Sequence, residues 1–383
     1  MHTGKRYRLR ELVAWTRRET LVMTTIAVVP TLLSVGVGWR WLEVPWVPIA
    51  MLGTASAFTV GFRNNATYAR TWEARQIWGG IVNASRAWGL MARDLVDAAS
   101  SAPSALAPSA AAVPPASGAA VVAIAPAVHA RTTRAPALAL APALAPTASG
   151  AGDVDAVRHL VHRHLAWLTA LRYQLREPRG WENMDRPDNR AYRERYYTVP
   201  EHDGALPTEL ARLLPAGEAD HVLTQANRAA AILALQSAHL RALASAGALD
   251  AFRHVALARQ VAELLDLQGR CERIKNFPYP RQFATLNYWF IRLFVWLVPF
   301  GMVQEFRRLD QVAIWLTIPF SVVVTWLFLA LEKVGESTEN PFEGSANDVP
   351  ITALSRTIEI DLRQMLGEAD VPPPLAPVHQ ILM

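Results

Sequence analysis

The residues best spaced to act together are Thr54, Phe58 and Phe62, which recur at intervals of four. On a helix that spacing stacks three side chains on one face. They lie in FTVGFRNNATYARTWEARQIWGGIVNASR, Phe58 to Arg86, which starts apolar, ends charged and holds no proline. A helix that leaves a membrane and continues into water has this pattern. One reading is a hydrophobic helix followed by an ordinary amphipathic one. The other is a pore-lining helix whose aromatic face meets copies of itself, with ion passage as its chemistry. Arg70, Glu73 and Arg75 follow. They suit either a vestibule that tunes local ion concentration or salt bridges between helices. Trp72 and Trp78 are read as core, and Asn64 and Asn65 as pore-facing or packed polar groups.

Other candidate chemistry is thin. His159 and His162, in HLVHRH, are three apart and could share a metal. No HExxH-type carboxylate accompanies them, and a solvated helix face is the better reading. No GxGxxG, Walker A or GxSxG motif is present, so the sequence offers no catalytic constellation and implies no cofactor. The lone Cys271 excludes an intrachain disulfide.

The elements that must position these residues are membrane spans. The chain has 383 residues, 51% of them hydrophobic, with 13 Trp and a formal net charge of +5. The charge is local: Lys5, Arg6, Arg8, Arg10, Arg17 and Arg18 crowd residues 1–18. Membrane topology explains this better than nucleic-acid binding does, and it places that end in the cytoplasm. Two spans are expected within 19–62, with Pro30 predicting a kink or break in the first. The second is rich in small residues, which let helices approach closely. Residues 63–98 continue the second helix into the cytoplasm. Residues 99–152 are an Ala/Pro-rich insertion whose prolines recur too often for a helix.

Residues 153–283 read as a cytoplasmic helical region: a helix over 153–177, a polar loop over 178–204, a short helix over 206–214, and long helices over 218–246 and 249–274. Two further spans occupy 284–331, the third carrying Arg292, which must face protein or water. Residues 332–383 form a cytoplasmic C-terminal segment with a helix near 351–366. The fold class is thus an all-α membrane protein: four transmembrane helices per subunit plus a large cytoplasmic helical bundle, assembled around a central pore. Four spans place both termini in the cytoplasm, in a cell inner membrane.

FRNNATYARTWEARQIWGGIVNASR resembles the segment after the second span in bacterial bestrophin-family proteins. ENPFEGSANDVP, Glu339 to Pro350, and CERIKNFPYPRQF, Cys271 to Phe283, match the family in order and spacing. The resemblance implies a homopentameric channel for small monovalent ions, with the second spans around a central pore and the lipid bilayer as the other partner. It carries neck roles to Thr54, Phe58 and Phe62, the first departing from the larger apolar residue usual there. By ungapped spacing from Pro280, it puts a cytoplasmic aperture at Phe252. Animal members continue their version of ENPF into an acidic run that helps bind calcium. Here Asn340 and Pro341 match, but Asp348 is the one aligned carboxylate left. Asn340 and Asp348 are therefore thin metal candidates, calcium preferring several carboxylates, and a capped loop docked against the first helix is favoured. Animal relatives pass chloride and bacterial ones can favour monovalent cations; the bacterial-type motif inclines the reading slightly toward cations. A transporter or scaffold without a continuous pore is the alternative, and it lacks the inverted repeat expected of a transporter.

The insertion has no core-forming pattern. Deleting Ser104 to Pro146 should leave assembly and conductance intact, and loss of the oligomer on size-exclusion chromatography would show that the segment packs.

Overall fold

The computed structural model describes residues 1–7, 9–96 and 152–383. The expected insertion falls outside the described residues, apart from Gly152, which opens the next helix. Twelve α-helices are found among the described residues, which contain only isolated β-bridges.

Four helices are long and apolar enough to cross a membrane: α1 (Leu9–Leu32), α2 (Trp46–Leu95), α10 (Arg281–Leu309) and α11 (Thr317–Ser337). In α1 the proline does not break the helix. The chain runs through Pro30 and widens into a π-helical turn at Leu33–Val37, ended by left-handed Gly38. Second span and cytoplasmic continuation form one helix, α2, of 50 residues. At 1.5 Å per residue it is about 75 Å long, more than twice the thickness of a bilayer core.

Helix α2 packs on α10 and α11 in its apolar half and on α9 (Ala251–Asn276), α12 (Ile351–Met365) and α3 (Gly152–Arg176) in its polar half. The small residues of α2 account for the first contact. A Cβ added to Gly53 would lie 2.5 Å from the Phe294 ring, and one added to Gly301 would lie 2.7 Å from Ile49. Arg292 meets protein, as its cost in lipid requires: it pairs with Glu332 at 3.4 Å and lies over the Tyr288 ring.

In the helical bundle α3, α9 and α12 pack on the lower half of α2, and α8 (Arg228–Ser245) packs on α3 and α9. The bundle core includes Trp78, Trp88 and Trp167, all fully buried. Cys271 is buried there too, and burial pushes its thiol pKa up. Two expectations are corrected. The single helix over 218–246 is two, α7 (Ala216–Leu223) and α8, because the Asn227 side chain caps α8 by accepting from Ala230 N. The polar loop 178–204 contains α4 (Pro187–Tyr196) and α5 (Pro200–Asp203), each opened by a proline in its first turn. Asp188 of α4 pairs with Arg18 and Lys333, at 3.3 and 3.5 Å, which fixes α4 beneath α1 and α11. The short helix α6 covers Leu206–Ala211.

Gly53→Leu should drive α2 and α10 apart at the cost of roughly 1–3 kcal/mol. Gly269→Ala, in open space on α9, should instead be stabilising by about 0.5–1 kcal/mol. Thermal melts of the detergent-solubilised protein check both.

Candidate functional site

Helix α2 has two faces with different tasks. Ile49, Gly53, Ser56, Val60, Arg63, Thr67 and Thr71 recur every three or four residues and are buried within the subunit. Thr54, Phe58 and Phe62 occupy the opposite face and are exposed, the two phenyl rings at 65% and 74%. No core of their own subunit holds them. Thr54 donates its hydroxyl back to the Ala50 carbonyl at 3.0 Å, so its proton is spent on the helix. Phe252 stands in the first turn of α9, after the Asp250 cap, and is 90% exposed. Trp78 is core as expected, whereas Trp72 is 49% exposed. The correction has a simple reason: Trp72 lies on the bare face of α2, where no element of the subunit can cover it.

Immediately after Phe62 the buried face becomes a polar tether. Arg63 pairs with Glu339 at 3.0 Å, both side chains almost fully buried, and Glu339 also meets Arg281 at 3.1 Å. Asn64 donates to the Leu331 carbonyl at 3.0 Å, while Asn65 is exposed. Thr71 donates to the Thr338 carbonyl at 2.8 Å, and Thr338 donates to Thr67 at 2.9 Å. The end of the apolar segment is thereby bound to the loop that follows α11. Arg70 donates to the carbonyls of Ile274 and Phe277, and Glu73 pairs with Arg273, all on or next to α9. Arg75 is exposed.

Among the described residues, the loop at 339–350 docks on α2 and α3, and Tyr7, ahead of α1, donates to Asn347 at 2.7 Å. Asp348 is buried and accepts from Gly344 N, Ser345 N and Ser345 Oγ at 2.7, 3.0 and 2.5 Å. Asn340 donates to Glu343 Oε2, which also accepts from Asn183 N. Burial, with Asp348 close by, pushes the Glu343 carboxyl well above its usual pKa. The positive charge in the loop is Arg176 of α3. Its guanidinium donates to the Phe342 and Val349 carbonyls at 3.1 and 3.4 Å, and lies 3.5 Å from Asp348 and 3.7 Å from Glu201. Two carbonyls and two carboxylates around one cation is the donor set a metal would take, and here a side chain takes it. No group of three His, Cys, Asp or Glu among the described residues is arranged to hold a metal.

The histidines do not form a solvated face. His159 lies 3.3 Å from Glu218 and 3.0 Å from Arg163, and His162 lies 2.6 Å from Glu368. They join α3 to α7 and to the segment after α12. Sequence reasoning missed Arg63–Glu339 and Arg176. A signal for Arg63 exists: it falls in phase with Val60 and Thr67, the buried side of α2.

A family model described as Bacterial/Fungal Bestrophin protein matches residues 11–131 and 130–364. The voltage-dependent anion channel-forming protein RSc3414 of Ralstonia nicotianae is 27% identical over 342 residues, 88% of this chain and 84% of that protein. The voltage-dependent anion channel-forming protein YneE of Escherichia coli K12 is 25% identical over 331 residues, 86% and 80% of the two chains. A crystal structure of a bacterial bestrophin homolog from Klebsiella pneumoniae shares the fold at a TM-score of 0.64 and 22% identity, covering 94% of this chain and 99% of that one.

Arg176→Gln should be strongly destabilising, by roughly 3–5 kcal/mol, because it leaves the buried Asp348 without its cation and Glu201 with Arg172 alone. Added calcium should leave the melting temperature and the open probability unchanged; a steep dependence on micromolar calcium would mean that the loop binds the ion after all. With its four apolar helices, its helical bundle and its matched sequence from residue 11 to 364, this chain belongs to the bacterial and fungal bestrophin family.

Proposed function

We propose that this protein is a channel for small monovalent ions in the bacterial inner membrane, a pentamer with α2 of each subunit around a central pore and both termini in the cytoplasm. One observation carries this reading: two large phenyl rings and Thr54 stand exposed in line on a span whose opposite face is fully packed. Apolar side chains left bare beside a buried face are surface awaiting a partner. Copies of the same helix around an axis supply that partner and leave a hydrophobic ring, which gates by dewetting and conducts when it is wide enough to hydrate. Four spans per chain enclose no wide pore alone, which supports an oligomer. Phe252, exposed at the opposite end of the bundle, fits a second constriction at the cytoplasmic exit.

The bacterial-type motif inclines the neck toward cations. The curated relatives are named anion channel-forming, and phenyl edges, which are positive, suit that reading as well. Reversal potentials of the purified protein in bilayers with asymmetric salt distinguish the two.

Truncating either ring should widen the neck. Phe58→Ala and Phe62→Ala should each raise macroscopic current, with assembly and thermal stability retained. If the rings were packed core, each change would cost roughly 3–5 kcal/mol per subunit with no gain in current. Native mass spectrometry in mild detergent should show five subunits, and only monomers or dimers would reject the assembly.

A further inference from the structure

Helix α2 carries five charged side chains between residues 63 and 86: Arg63, Arg70, Glu73, Arg75 and Arg86. An α-helix turns roughly 100° per residue, so a line drawn down the neck face from Phe62 passes through Asn65, Ala69, Trp72, Gln76, Gly79 and Asn83. All six are exposed, and none is charged. The charges lie elsewhere. Arg63 points into the subunit toward Glu339. Arg70 and Glu73 are turned to α9. Arg86 is turned to Asp361 of α12, at 2.8 Å. Arg75 precedes Gln76 by one residue and so falls on the flank of the exposed face.

We propose that this uncharged stripe, with Asn65, Gln76 and Asn83 as its polar members and Trp72 as its aromatic one, is the wall of the ion pathway on the cytoplasmic side of the neck. The assignment rests on the reading of α2 as the pore helix. It deepens that reading by moving the path away from Arg70, Glu73 and Arg75 and by leaving this wall without fixed charge. Carboxamides serve ions of either sign, N–H groups facing anions and carbonyls facing cations. A wall of this kind hydrates the path without sorting by charge, and selection falls to the phenylalanine rings. It also accounts for Trp72, a large aromatic side chain left half bare although the two tryptophans that follow it on α2, Trp78 and Trp88, are fully buried.

A wall without charge is sensitive to any charge placed on it. The test uses currents through the full-length protein in planar bilayers under asymmetric potassium chloride. Gln76→Glu and Asn83→Glu should raise the cation-to-anion permeability ratio several-fold, because a ring of carboxylates concentrates cations at the wall. Phe62→Cys, Gln76→Cys and Asn83→Cys are then treated, after assembly, with a thiosulfonate reagent carrying a trimethylammonium group. The native Cys271 is buried and gives no background. Modification at 76 and 83 should lower the same ratio several-fold, and it does so even where a glutamate variant fails to express. If Phe62→Cys responds while 76 and 83 stay silent, the stripe is off the path and the pore helix stands. If all three are silent in a conducting channel, the pore reading fails and the stripe fails with it.

Discussion

The constraint on which the rest depends is that α2 is a single helix from Trp46 to Leu95 with one face in use. An unbroken helix transmits its rotation along its whole length. Once Gly53, Ser56 and Val60 are seated against their neighbours, the direction of every later residue is fixed. The lower half then continues in register into the bundle through Ile77, Trp78, Ile81 and Trp88. Packing at both ends holds one rotation, and the bare face from Thr54 to Asn83 is its necessary complement. Neither half can turn without unseating the other, because close-packed interiors deform little.

That rotation is paid for electrostatically where the membrane half meets the bundle. Arg63–Glu339–Arg281, Arg292–Glu332 and Lys333–Glu19 sit on the side of the spans that faces the helical bundle, and Glu332 and Glu339 are almost fully buried. Desolvating such pairs costs about as much as their attraction returns, so their contribution to net stability is small. Their effect is on specificity. An Arg63 displaced by one residue along α2 would leave Glu339 buried with its partner on the wrong face. The pairs therefore select one register among packings that apolar contacts alone would leave nearly equal.

Much of this was legible in the sequence. The four spans follow from run length, and the continuous helix follows from the absence of proline between Pro48 and the insertion. The spacing of Thr54, Phe58 and Phe62 gave a shared face, and that face is the exposed one. What was not legible depends on contacts between distant segments. Trp72 and Trp78 are the same residue type six positions apart, and only the location of α9 and α3 decides which is covered. The break before α8 turns on one asparagine cap, and α4 on a proline at a helix start, both local signals that a polar composition conceals. The ties of His159 and His162 run to Glu218 and Glu368, far along the chain, and no local periodicity reports them.

Arg176 shows how a loop can keep its shape with a side chain as its cation. A bound metal ion stabilises a loop by mass action, so the ordered fraction follows the ion's concentration. A guanidinium built into α3 cannot dissociate, and its effective concentration at the loop is set by the fold. The Phe342 and Val349 carbonyls and the Asp348 carboxylate are thus held by a cation that is present whenever the bundle is folded. Glu339 begins the same loop and grips Arg63, one residue beyond Phe62. A permanently occupied loop therefore means a permanently anchored end of the apolar half of α2. The anchor beneath Phe62 is thus made of side chains of the fold itself, and it holds the end of the apolar half of α2 as long as the bundle is folded.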